Sequence, residues 1–305
     1  MLLHRLKTAL PMVALMLLAF FLPGTAGRML FTLFATAMLC LALSEIVALY
    51  KFEHPRRFLL PLLLLGLAFL VLSALDSGKI ITLLLQMGGE TALLITYILG
   101  VFCLGFRAGP TAASVREINA GLAAALYICW PLCFFPKIYF LADGGPWLLF
   151  YLVLVTKMAD VGAYFLGTAT ARLPGGNHKI AKIVSPKKSW EGLVGGILAS
   201  LLSSLLFFYY FQHRLHFIDI GGFGNLQLSL TWTEAFAWGI IAPVVGLLGD
   251  LAESVLKRAA DCKDSGTLPG LGGILDTLDS LIPMAPLFYA WLLLRSALGL
   301  IQQLQ

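Results

Sequence analysis

Apolar runs of about 17 to 25 residues follow one another from end to end of this chain, and each is long enough to cross a hydrocarbon core roughly 30 Å thick as a helix. Inside a bilayer the backbone N–H and C=O groups have no water to turn to, so such runs fold as helices that satisfy their own hydrogen bonds. The expected fold class is therefore all-α, a polytopic integral membrane protein with about nine transmembrane helices. The spans fall near residues 6–23, 29–50, 58–75, 80–105, 119–140, 146–168, 190–211, 234–254 and 278–300. With 305 residues, 59% of them hydrophobic, and a mean hydropathy of +0.90, no length remains for a large extramembrane domain. In the fourth span, "QMGGETA" sets Gly88, Gly89 and Glu90 at membrane depth. That predicts a broken or re-entrant helix covered by protein.

Charge orients these spans. Of the 21 Lys and Arg residues, 15 fall on one set of flanks, from Arg5 and Lys7 through to Lys263; Arg28, Lys79, Lys137, Arg214 and Arg295 fall on the other, and Lys157 lies within a span. The positive-inside rule then puts the N-terminus in the cytoplasm and, with an odd number of spans, the C-terminus outside. The net charge of +5 and pI near 9.0 are topological, and no basic stripe on a soluble fold points to nucleic acid. The basic start followed by an apolar run resembles a signal peptide, but an uncleaved first span fits the alternation of charge without adjustment. The five cysteines lack metal spacing and read as packed thiols.

Polar residues are spread unevenly. Residues 1–140 read as membrane scaffold, in which Glu45, Glu90 and Glu117 are isolated acids expected at helix ends or as interhelical hydrogen-bond partners. Residues 141–305 read as the catalytic region. In "GDLAESVLKR", Asp250, Glu253, Ser254 and Lys257 line one helical face, and a carboxylate near a membrane helix end calls for a cation or a wet cavity. A Glu253–Lys257 ion pair would account for part of that face but not for Asp250. In "PGLGGILDTLDS" the glycines allow a tight turn and close approach to a ligand, and the helix expected after them carries Asp276 and Asp279 three residues apart. If the helices pack, Asp250, Asp276 and Asp279 could converge on a hard cation, and carboxylate oxygens suit Mg²⁺. Lys257, Arg258, Lys263 and Asp264 lie between the acids, as handling of polyphosphate requires. In "KIVSPKKSWEGLVGG", Ser185 before Pro186 reads as a turn, Lys187 and Lys188 offer phosphate contacts, and Ser189 to Gly192 caps the next helix. Asp160, three residues after Lys157, is either an intrahelical partner of that lysine or a site residue.

These segments resemble the phosphatidate cytidylyltransferases, also called CDP-diacylglycerol synthases. The resemblance rests on "DVGAY", "SPKKSWEG", "GDLAES" and the run "SVLKRAADCKDSG" to "PGLGGILDTLDS", in that order over roughly residues 157–281. Two positions depart from the family pattern: Leu271 stands where a His is usual and Thr277 where an Arg is usual, so no role of either can be carried over. The resemblance implies transfer of CMP from CTP to phosphatidate, giving CDP-diacylglycerol and pyrophosphate, by Mg²⁺-dependent in-line attack. Asp250 and Asp276 are then the first metal ligands and Asp279 a third. Lys263 and Asp264 organise the headgroup and metal water, Ser185, Lys187 and Lys188 hold the CTP phosphates, and Lys257 and Arg258 draw in phosphatidate, with Asp160 nearby. The partners implied are CTP and a membrane lipid, at the cytoplasmic face of the inner membrane. A second cation such as K⁺ and a homodimer are left open. The alternatives are a related CTP-dependent lipid transferase, such as a polyprenol kinase or an archaeol-type cytidylyltransferase, and a transporter using Asp160 and Asp250 as ion sites.

Overall fold

The computed structural model describes residues 2–52, 55–75, 80–141, 144–218, 227–266 and 272–304. Among the described residues, eight helical spans are long and apolar enough to cross a membrane. The expected first span is α1 (Leu2–Phe21), whose apolar part Leu10–Phe21 is shorter than the others. Then follow α2 (Gly24–Leu49), α3 (Pro55–Ser73), α4 (Ile80–Ala108) and α5 (Ala112–Ala124). The fifth expected span continues through a π turn at Ala125–Cys129 into α6 (Trp130–Leu132) and α7 (Phe134–Tyr139). Next are α8 (Gly145–Thr170), the antiparallel hairpin β1 (Lys179–Ala181) and β2 (Ser185–Ser189), α9 (Trp190–Phe211), and a second hairpin of β3 (His216–Ile218) and β4 (Gln227–Ser229). The chain ends in α10 (Trp232–Ala259), the short α11 (Leu275–Leu278) and α12 (Leu281–Leu304). Large apolar side chains such as Leu33, Leu64, Val71, Ile81, Leu202 and Leu248 stand exposed along these helices, as lipid-facing residues must.

At two places the structure differs from what the sequence predicts. α4 runs unbroken through Gly88 and Gly89, because a continuous ladder leaves no backbone group unsatisfied at membrane depth. Ser185 is the first residue of β2 rather than part of a turn; the turn lies at residues 182–184.

The chain divides into two compact units. The first comprises α1 to α7 together with Asp264–Asp276. Its helices are tied by polar contacts as well as by packing: Tyr139 stacks on Phe31 at 3.8 Å and its hydroxyl donates to the Ala19 carbonyl at 3.0 Å. The Lys137 ammonium lies 2.7 Å from the Glu90 carboxylate, both buried, so Glu90 is the interhelical partner expected of it. Cys129 and Cys133 are buried free thiols.

The second unit holds α8, both hairpins, α9, α10 and α12. Lipid tails are as apolar as leucine, so helices here associate through close packing and hydrogen bonds rather than by escape from water. α8 and α9 meet on small residues. A β-carbon on Gly162 would strike the Gly195 carbonyl and Ala199, and one on Gly195 would strike Leu166. Tyr151 and Ser204 hydroxyls pair at 2.6 Å, and Ser204 donates on to the Ala235 carbonyl of α10 at 2.6 Å. α10 starts at a capping box, with Thr231 accepting from the Glu234 amide and Glu234 accepting from the Thr231 amide.

Gly162→Leu should therefore cost about 1–3 kcal/mol through overpacking, read as a lowered midpoint of thermal unfolding in detergent. Gly88→Ala, where an added β-carbon meets nothing within 4 Å, should leave the midpoint unchanged or slightly raised.

Candidate active site

In the second unit one cavity of about 210 Å³ opens among α8, β2, α9 and α10, lined by Asp160, Tyr164, Lys187, Lys188 and Asp250 among others. Its position follows from local structure. Ser189 caps α9 by accepting from the Gly192 amide at 3.1 Å, as its place before the helix predicts. This carries β2, with Lys187 exposed and Lys188 half-buried, onto the cavity rim. Asn177 fastens the base of the hairpin, donating to the Gly167 carbonyl at 2.9 Å.

Charge is concentrated on one wall. Lys188 Nζ donates to Asp250 Oδ2. Asp250 is 8% exposed, and its Oδ1 is buried with no hydrogen-bond partner among the described residues. A β-carbon on Gly249 would collide with the Asp279 carbonyl, so glycine at this position admits the turn that brings Asp279 against Asp250. Asp279 Oδ1 accepts from the Ser280 amide at 2.7 Å. The Ser280 hydroxyl accepts from Lys157 Nζ at 2.7 Å and lies 3.1 Å from Asp160 Oδ2, while Lys157 also reaches Asp160 at 3.2 Å. Burial, then the facing carboxylate of Asp250 against the opposing pull of Lys157, pushes Asp279 up to about 9. Burial lowers the Lys188 ammonium, but Asp250, with Asp160 and Asp279 behind it, outweighs this and holds the group above its ordinary value.

In the first unit Asp276 is held differently. Its Oδ2 accepts from the Gly273 amide at 2.7 Å, the Ser265 amide at 2.9 Å and the Ser265 hydroxyl at 3.0 Å. α11 ends at Leu278, so Asp276 and Asp279 do not share the helix face expected of them. Asp276 accepts from Ser265 and Gly273, while Asp279 accepts from its own following amide and meets the Asp250 carboxyl.

The other expected residues fall as follows. Lys257 pairs with buried Glu253 at 2.7 Å, the ion pair weighed as an alternative for that face. Asp160 makes the intrahelical contact with Lys157 and also lines the cavity. Exposed Arg258 reaches the carbonyls of Val184 at 3.5 Å and Cys262 at 3.4 Å, tying the hairpin turn to the end of α10. Lys263 and Asp264 are exposed and Ser185 half-buried. Thr277 lies within α11; Leu271, with Pro269 and Gly270, lies outside the described residues. Two contributors carried no recognisable signal. Ser280 was legible only as the last letter of a motif, and Glu45, which touches Ser265, Ile274 and Leu275, only as an isolated acid.

Residues 3–295 match the cytidylyltransferase family. The chain belongs to that family. It is 34% identical to a phosphatidate cytidylyltransferase of Chlamydia muridarum over 62% of this chain and 58% of that protein. It is 36% identical to one of Bacillus subtilis over 59% and 60%, and 37% identical to one of Haemophilus influenzae over 47% and 45%. The chain thus spans about half to three-fifths of the length of these relatives.

The residues present suit a divalent cation. Among the described residues Asp250 Oδ1 is a buried oxygen without a hydrogen-bond partner, and the Asp250 and Asp279 carboxyls lie close enough to repel each other unless a shared proton or a cation intervenes. Among the described residues no three His, Cys, Asp or Glu side chains group closely enough to hold an ion alone. The ion that fits is one that keeps waters and takes substrate phosphate oxygens as ligands, as Mg²⁺ does.

The raised Asp279 makes stability depend on pH. Between the unfolded value of 3.8 and the folded value of about 9, the folded chain holds a proton that the unfolded chain has released. That contribution is complete below about pH 4 and lost as pH rises through about 9. With divalent ions chelated, the melting midpoint of Asp279→Asn should fall less between pH 5 and pH 9 than that of the wild type. Parallel curves would show that Asp279 is not the group responsible.

Proposed function

We propose that this protein is a phosphatidate cytidylyltransferase, converting CTP and phosphatidate to CDP-diacylglycerol and pyrophosphate at the cytoplasmic face of the inner membrane. The observation that carries this reading is that buried Asp250 on the cavity wall faces both Lys188 and the Asp279 carboxyl, in the segments that resemble the family's motifs. The relatives' names support it, and so does the setting. A lipid substrate can keep its acyl chains in the bilayer while its phosphate meets a nucleotide from the basic side that the positive-inside rule makes cytoplasmic.

Both substrates are polyanions, so the residues must first tolerate them. Lys187 and Lys188 stand at the cavity with Ser185 on the same strand, and they take the CTP phosphates. Arg258 and Lys263, both exposed, attract the phosphatidate headgroup, with Lys257 behind them holding Glu253. Asp264 orders the water around that headgroup. Asp250 and Asp279 would hold Mg²⁺; Asp276, expected from the sequence as a first ligand with Asp250, is fixed by its own three donors within the first unit. When bound, the ion supplies positive charge to phosphate oxygens as negative charge builds on them.

A phosphate oxygen of phosphatidate attacks the α-phosphorus of CTP in line. The bond from that phosphorus to the bridging oxygen breaks, and its electron pair leaves on pyrophosphate. A phosphomonoester is already anionic near neutral pH, so no side chain has to remove a proton. Asp160, shared between Lys157 and Ser280, keeps this wall of the cavity rigid. Catalysis is then orientation and charge neutralisation.

CTP labelled at the α-phosphate should pass label into chloroform-soluble product only when phosphatidate and Mg²⁺ are both present. Asp250→Asn and Asp276→Asn should each lower that rate by roughly 100-fold or more while the protein still folds. Label passing from the γ- but not the α-phosphate would identify a lipid kinase instead.

A further inference from the structure

In the first unit a carboxylate from the N-terminal half of the chain reaches the segment that carries Asp276. Glu45 lies near the end of α2, where Leu43, Ile46 and Val47 are packed into the core, so its backbone is fixed. Its Oε1 accepts from the Ile274 amide at 2.8 Å, and its Oε2 from the Leu275 amide at 2.9 Å. Oε2 also lies 2.9 Å from the Ser265 hydroxyl, the same hydroxyl that is 3.0 Å from Asp276 Oδ2. Ser265 is thus a bridge between the two carboxylates, and the Asp276 amide lies 3.3 Å from it in turn.

Two glycines make room for this reach. A β-carbon on Gly266 would meet Glu45 Oε1 and the Gly273 backbone, and one on Gly273 would meet Ser265 Oγ and Glu45 Oε2. Any side chain at either place would push Glu45 out. The glycines at these two positions therefore serve a carboxylate that arrives from about 220 residues away in sequence. Backbone amides at the start of a short helical turn need an acceptor, and leaving them without one costs more than the bond itself is worth.

We propose that Glu45 is a positioning residue for the reaction: by accepting from Ile274, Leu275 and Ser265 it fixes the orientation of Asp276. The proposal rests on the cytidylyltransferase reading for its effect on turnover, but not for its effect on the local backbone. Glu45 touches neither substrate nor reacting atoms in this role. It acts through Ser265 and the two amides. Glu45→Gln keeps the volume while placing an NH₂ group against donors that need an acceptor, so it separates lost hydrogen bonding from lost packing.

The test measures amide hydrogen exchange by mass spectrometry over peptides covering residues 272–278, in detergent without CTP or divalent ions, alongside kcat and KM. In Glu45→Gln, exchange over 272–278 should quicken by about tenfold or more, with exchange in peptides from α8 and α9 unchanged. kcat should fall about tenfold or more, while KM for CTP moves by less than about threefold. Unchanged exchange over 272–278 would overturn the proposal, and so would quickened exchange with kcat at the wild-type level. If exchange quickens while even the wild type transfers no label from CTP, the clamp stands and the assigned reaction falls. Should Glu45→Gln fail to fold, Ser265→Ala removes the bridge and leaves α2 untouched. It should quicken exchange over the same residues, and normal exchange there with normal kcat would equally refute the proposal.

Discussion

Two carboxylates packed against each other cannot both stay ionised without positive charge beside them, and buried Asp250 and half-buried Asp279 form such a pair. The second unit is arranged around that constraint. Lys188 supplies one positive charge directly to Asp250, and Lys157 supplies another through Asp160 and Ser280. Neither lysine satisfies the buried Asp250 Oδ1. Asp250 lines the cavity, so a ligand entering there can supply further positive charge.

The membrane fold makes such a site affordable because its helices can approach so closely. Where α8 meets α9, glycines replace the side chains that would hold the helices apart. Where α10 meets the turn at Asp279, Gly249 does the same. Close approach puts four elements, α8, β2, α9 and α10, around one small cavity, with Asp279 set against Asp250 of its wall. The hairpin, though short, is held at its base by Asn177 and Ser189 and at its turn by Arg258, so its lysines are presented on a braced element rather than on a loose loop.

Much of this was readable from residues alone. Long apolar runs can be little other than helices in lipid, and clustered charge in a chain with few charges marks where solvent and substrate must be met. Ser189 as a cap and the Glu253–Lys257 and Lys157–Asp160 spacings are local, so the sequence exposes them. The failures were of two kinds. At Gly88 and Gly89 a local preference is outweighed: glycine costs a helix about 1 kcal/mol per residue, less than an unsatisfied backbone at membrane depth. At Asp276 and Asp279 helical periodicity was extended past the four residues that α11 actually has. Glu45 was read as an interhelical or helix-end partner, which describes its chemistry but not its target, because nothing local to α2 encodes a contact so distant in sequence.

The central claim is that Asp250 and Asp279 form a divalent-cation site. Electron paramagnetic resonance of Mn²⁺ added to the purified protein reads this directly, since bound manganese loses the sharp signal of the free ion. The account predicts saturable binding that Mg²⁺ competes away and that is lost when Asp250 or Asp279 is replaced by asparagine. Binding of equal strength and stoichiometry in all three proteins would contradict it.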